Sequence, residues 1–223
     1  MVSFERAGWN ADIVLGSAIL SLPEFTALFS TEAPATGVEL TIGALTILFS
    51  DLTGTTALYE RLGDAAAFAL VQEHFAAVSA AVERHRGVVV KTMGDAVMAT
   101  FTSPADALSA SLDMTGEVAH LAESRNLAEL AIKIGLHEGP CLIVQANGWL
   151  DFFGSTVNLA SRLQHQARPN HIVLGADLLS HGAVARVVAR VVADRAALVE
   201  QFRAELKGVS GLRALLSIKG TAR

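Results

Sequence analysis

Val88-Val89-Val90-Lys91-Thr92-Met93-Gly94-Asp95-Ala96-Val97-Met98-Ala99-Thr100-Phe101 holds two short apolar runs around a tight turn. Val88 to Lys91 reads as one strand and Ala96 to Phe101 as the next, with Met93-Gly94-Asp95 between them. A turn this short forces an antiparallel pair. Working outward, an alanine-rich helix opens at Gly63-Asp64 and runs to about Arg86, with Gly87 as its stop. Pro104 opens a second long helix to about Ser124. Leu45 to Asp51 before the first helix, and Leu130 to Leu136 after the second, read as strands. Strand, helix, strand, strand, helix, strand is the split, ferredoxin-like βαββαβ order. The expected class is therefore α+β, an antiparallel or mixed sheet with helices packed on it.

Further C-terminal elements extend this core. Cys141 to Gln145 reads as a fifth strand, Gly154 to Gln166 as a helix, Ile172 to Leu174 as a short strand and Ala176 to His181 as a short helix. Ala183 to Glu205 is ambiguous: its valine-rich start favours strand and its Ala, Arg and Glu content favours helix. Leu212 to Ile218 reads as a last strand. Residues 1–40 differ, with a helix start at Ser21-Leu22-Pro23 and a linker from Thr31 to Gly37. They read as the tail of an upstream regulatory domain, leaving 41–223 as the functional domain.

Composition bounds the function. In 223 residues, 52% are apolar and 17% charged, which supports a packed core. The net charge of -5 gives no general basic field for a nucleic-acid partner. A single cysteine, Cys141, precludes an internal disulfide and reads as a buried thiol. The apolar stretch Ile13 to Leu22 is too short to span a bilayer, and no secretory signal is visible, so a cytoplasmic location is expected. Seven histidines show no zinc-ligand spacing.

Three segments carry chemistry. Asp51 ends a strand and is followed by Leu52-Thr53-Gly54-Thr55-Thr56, a turn whose amides suit phosphate while the carboxylate suits Mg²⁺. The same aspartate also suits an ordinary helix cap. Asp95 lies past the Gly94 turn; beside Asp51 it would make a pair that repels unless cations intervene, though Gly-Asp is also common turn chemistry. Asn158 and Arg162 lie four apart on a helix and share a face, either solvated or placed for sugar and phosphate oxygens.

Together, Phe49 to Thr56, Lys91 to Asp95 and Asp151 to Arg162 resemble the class III adenylyl and guanylyl cyclase catalytic domain, in its order and approximate spacing. Ile134 to Gly139 and Leu206-Lys207-Gly208 resemble two further signatures, and the resemblance covers about residues 43–218. It implies that Asp51 and Asp95, with the Leu52 backbone, hold two Mg²⁺ or Mn²⁺ ions per site. It implies that Leu52, Thr53, Gly54, Thr55 and Thr56 cradle the triphosphate and that Lys91 and Asp151 read the base. Asn158 and Arg162 would orient the ribose and stabilise the α-phosphate. Lys133 stands where the family often has arginine, Lys207 belongs to the C-terminal signature, and Thr55 stands where many members have phenylalanine. A second phosphate-contacting lysine of the family falls nearer Val209, which cannot serve.

The resemblance further implies ATP as substrate, cyclic AMP and pyrophosphate as products, and a two-fold homodimer in which one subunit gives the metals and the other gives Lys91, Asp151, Asn158 and Arg162. Two rival readings stand beside it. Asp51-Leu52-Thr53-Gly54-Thr55 is also similar to the nucleophile loop of aspartyl-phosphate phosphatases and phosphotransferases, which needs a doubly wound parallel sheet. A non-catalytic, nucleotide-binding cyclase-like module is the other.

Overall fold

The computed structural model describes residues 40–146, 149–194 and 197–220. The expectations for residues 1–39 lie outside them. The elements run β1 (Leu40–Thr53), α1 (Thr55–Leu62), α2 (Asp64–Arg84), β2 (Val88–Met93), β3 (Ala96–Phe101), α3 (Pro104–Ser124), β4 (Ala131–Ala146), β5 (Trp149–Phe153), α4 (Ser155–Gln166) and β6 (His171–Gly175). A 3₁₀ turn (Ala176–Ser180), α5 (Gly182–Ala193), β7 (Ala197–Glu205) and β8 (Leu212–Gly220) complete the chain.

The sheet order is β2-β3-β1-β4-β6-β8-β7, with β5 paired to β4. Its first four strands, all antiparallel, form the expected ferredoxin-like core. β4 and β6 run parallel, so the whole sheet is mixed. That excludes the doubly wound parallel sheet which an aspartyl-phosphate phosphatase reading of Asp51 requires.

The two sheet faces are covered unequally. Leu48, Leu52, Val97, Ile132, Ile134, Leu136, Ile172 and Leu216 point toward α2, α3 and α5 and form the main core with Leu70, Val78, Leu108, Met114 and Val184. Alternate residues Leu45, Ile47, Met98, Cys141 and Phe152 point to the other face and pack against Ala160 of α4. Cys141 is a buried free thiol, as expected. α2 is long and apolar enough by composition to cross a membrane, with a mean hydropathy of 1.4, but Ala67, Leu70, His74, Val78 and Ala81 place one face of it in the core.

Three elements differ from expectation, and one open stretch is decided. β4 is one strand where two were expected. Pro140 interrupts the pattern but is accommodated because the β1 register shifts between Ile42 and Leu45, opposite Cys141 and Gly139, so no ladder N–H is needed there. β5 and α1 are additional, each formed beside a motif that reads as loop. The ambiguous stretch resolves into helix α5 and then strand β7. Valines at 184, 187, 188 and 191 recur at helical spacing and pack on the core, so periodicity outweighs β-branched propensity.

Candidate active site

Asp51 and Asp95 are brought together. Asp51 lies at the end of β1 and Asp95 in the β2–β3 turn, close enough for their carboxyls to share a hydrogen bond. Burial, and then the charge of Asp95, push the Asp51 carboxyl above its usual range, against the opposing charges of Lys133 and His165. Two carboxylates in such strained company fit hard divalent cations, which would relieve the repulsion. Among the described residues no three His, Cys, Asp or Glu side chains converge. The protein ligands would thus be two carboxylates and backbone oxygen, a set that suits Mg²⁺ completed by substrate phosphate oxygens.

The segment after Asp51 is shaped for backbone contact. The Leu52 side chain is only 4% exposed, in the core, so only its peptide groups are free to meet a ligand. Thr53 Oγ1 donates to the Ala131 carbonyl at 3.3 Å, fastening the strand end to β4. Gly54 has φ +84°, and a Cβ there would sit 2.6 Å from the Glu129 carbonyl oxygen. Only glycine lets the chain turn here into α1, whose first-turn amides at Thr55 and Thr56 have no intrahelical acceptor.

Lys91 on β2 and Asp151 on β5 also meet. Lys91 Nζ donates to Asp151 Oδ2 at 2.6 Å, while Asp151 Oδ1 accepts from the Phe152 amide at 2.8 Å. The backbone bond orients the carboxylate, and the Lys91 side chain beside it is 38% exposed. A fixed acceptor beside a fixed donor can read two adjacent groups on one heterocycle edge.

α4 carries the third group. Its residues Asn158, Ser161, Gln164 and His165 line a cleft of about 410 Å³ together with Asp51 and Met93. Arg162 turns away from this cleft. Its guanidinium nitrogens would lie 3.4 Å from a Cβ at Gly208, in the turn that also carries Lys207. Lys207 is exposed and Lys133 half-buried, cross-strand from Asp51 in the β1–β4 register. Arg162 and Asp51 therefore face different sides of α4 within one chain; among the described residues the predicted side-chain pairs that meet are Asp51–Asp95 and Lys91–Asp151. Larger cavities of about 590 and 650 Å³ border α3 and contain none of these residues.

Two residues at this site are not marked by any motif. Gln164 reaches Asp51 from α4. His74 is fully buried on α2, its two ring nitrogens have no hydrogen-bond partner, and burial lowers its pKa to about 4 against the opposing charge of Asp95. A histidine on an otherwise apolar helical stripe was the available signal for it.

A mixed sheet with two carboxylates near one strand end, a Lys–Asp pair between β2 and β5 and a helix bearing Asn158 and Arg162 defines an α+β domain with a polar site on one sheet face. The chain belongs to the adenylate and guanylate cyclase catalytic domain family, whose model matches residues 38–197. It is 38% identical over 143 residues to an uncharacterized protein of Mycobacterium tuberculosis strain H37Rv, a match covering 64% of this chain and 35% of that protein. It is 27% identical over 150 residues to the receptor-type guanylate cyclase gcy-13 of Caenorhabditis elegans, covering 60% of this chain and 14% of that one. It thus spans about a third or less of these relatives. The crystal structure of the adenylyl cyclase CyaB from P. aeruginosa has the same fold, with TM-score 0.69 and 24% identity over 83% of this chain and 98% of that one.

Proposed function

We propose that this domain is an adenylyl cyclase that converts ATP to 3′,5′-cyclic AMP and pyrophosphate at the interface of a two-fold homodimer. The observation that carries the choice of base is the Lys91–Asp151 pair, 2.6 Å apart. Adenine presents an acceptor at N1 next to a donor at the 6-amino group, which a lysine and a carboxylate match in turn. Guanine presents the reverse pattern, so it would leave both protein groups opposed by like partners.

Asp51 and Asp95, with the Leu52 carbonyl, would hold the divalent cations. Such cations, when bound, acidify a ribose hydroxyl and screen phosphate charge. The chain's own groups do the rest. The turn from Leu52 to Thr56 offers amides to the triphosphate. Asn158 orients the ribose so that its 3′-oxygen lies in line with the α-phosphorus. Arg162, with Lys207 in the adjacent turn, meets the charge that builds on the phosphoryl oxygens, and Lys133 would add charge from the Asp51 side. The 3′-O–Pα bond forms as the bond from Pα to the bridging oxygen breaks, pyrophosphate leaves, and the hydroxyl proton passes to solvent.

The division of labour on α4 supports the dimer. Arg162 faces away from Asp51, and a second copy would bring an Arg162 to each pair of aspartates.

The test is purified protein with ATP or GTP in Mn²⁺, with the product identified by mass. Cyclic AMP from ATP, lost in Asp95→Ala, is expected. Cyclic GMP as the preferred product would overturn the assignment of base, and tight ATP binding by a verified dimer without turnover would favour the non-catalytic module.

A further inference from the structure

The last turn of α4 returns to the aspartate end of β1. Gln164 is 6% exposed, and its Nε2 lies 3.5 Å from Asp51 Oδ2, a long contact. The backbone dictates this approach. α4 presses so closely on β4 that a Cβ at Gly135 would lie 2.1 Å from the Gln164 amide nitrogen and 2.4 Å from the Ala160 carbonyl oxygen. Gly135 is paired with Phe49, two residues before Asp51 and on the same sheet face. Gln164 is therefore seated over the Gly135–Phe49 pair, one side-chain length from the carboxylate.

A buried amide is costly unless it has a partner. The neighbouring buried positions of this helix, Ala160 and Leu163, are apolar. Gln164 differs from them in having an amide, and the amide faces Asp51. An amide donor steadies one carboxylate oxygen without cancelling its charge, and leaves the remaining lone pairs open. Lys133 and His165 also act on Asp51, but as charges, which compete with a cation.

We propose that Gln164 is a positioning residue that ties Asp51 to α4, so that the carboxylate and the helix bearing Asn158 and Arg162 move as one body. The idea rests on the reading of Asp51 as a cation-holding residue. In the dimer, each α4 would then link the aspartates of one site to the phosphate-handling groups of the other, because Arg162 leaves the helix on the opposite side.

The test is Mn²⁺ binding to the nucleotide-free chain, followed by the electron paramagnetic resonance signal of free Mn²⁺, with the melting temperature recorded alongside. Gln164→Met keeps length and volume but removes the donor, and Gln164→Leu repeats the test if the methionine variant does not fold. Either is expected to weaken Mn²⁺ binding about tenfold, as loss of a ligand-orienting partner does, and to raise the Mn²⁺ concentration needed for half-maximal turnover. Asp51→Asn should abolish binding. If Asp51→Asn binds Mn²⁺ like the wild type, the cation site itself is wrong and the proposal falls with it. If Asp51→Asn fails to bind while the Gln164 variants keep wild-type affinity, the positioning role alone is refuted. A lowered melting temperature with unchanged affinity refutes it too.

Discussion

Lys91 and Asp151 are joined by a 2.6 Å ion pair, and in the proposed reaction each would take a distinct group of the base. Exchanging their hydrogen-bonding sense should therefore change preference more than rate. The double variant Lys91→Glu, Asp151→Asn offers an acceptor and a donor in reversed order. Its ratio of kcat/KM for ATP over GTP is expected to fall about 100-fold or more, since buried groups opposed by like partners cost 1–3 kcal/mol each. An unchanged ratio would remove the pair from base reading. His74 makes a different kind of prediction. Its folded pKa of about 4 lies below the ordinary histidine value of 6.5, so the unfolded chain takes up the proton first as pH falls. The stability that neutral His74 contributes is full above pH 6.5 and is lost toward pH 4, by roughly 3 kcal/mol at 1.36 kcal/mol per unit. Urea titrations across this window should show that loss in the wild type and a smaller one in His74→Leu. Equal slopes would contradict the assignment.

At the scale of elements, α4 on β4 is the joint that matters. Gly135→Ala would place a methyl 2.1 Å from the Gln164 nitrogen, against backbone that cannot rotate aside. Overpacking of this kind costs about 1–3 kcal/mol. Here it should also displace Asn158 and Gln164 together, so cyclase activity is expected to fall well beyond what the change in melting temperature explains. Activity that tracks stability alone would argue against a shared rigid body. The same elements show what the sequence can and cannot reveal. The β2–β3 hairpin and α3 are legible because Gly94, Ser103 and Pro104 mark their ends with local chemistry. Continuity of β4 through Pro140 is not, because the bulge that permits it is in β1, nearly a hundred residues earlier in the chain. α5 was open to two readings because valine propensity and helical spacing disagree, and burial against α3 decides between them.

At the scale of the whole molecule, the motif residues were legible as a set, since each sits at a strand end, turn or helix face with a simple chemical use. Two groupings were legible as well, Asp51 with Asp95 and Lys91 with Asp151; the others were not. The meeting of Asp51 with Gln164, and the turning of Arg162 toward Gly208, arise from packing between distant segments. On the proposed reading, that grouping is also why one copy would be insufficient. Two variants, Asp95→Ala and Arg162→Ala, should each lose activity about 100- to 1000-fold when alone, as expected for a residue that would hold the cation and one that would meet developing charge. Mixed in equal amounts, they form heterodimers in which one site carries both lesions and the other carries neither. Measuring cyclic AMP formation by that mixture tests the account most directly. Recovery to about one quarter of wild-type activity is predicted, because half of the dimers are mixed and each has one intact site of two. A mixture no more active than its components, in a verified dimer with exchanging subunits, would contradict the shared site.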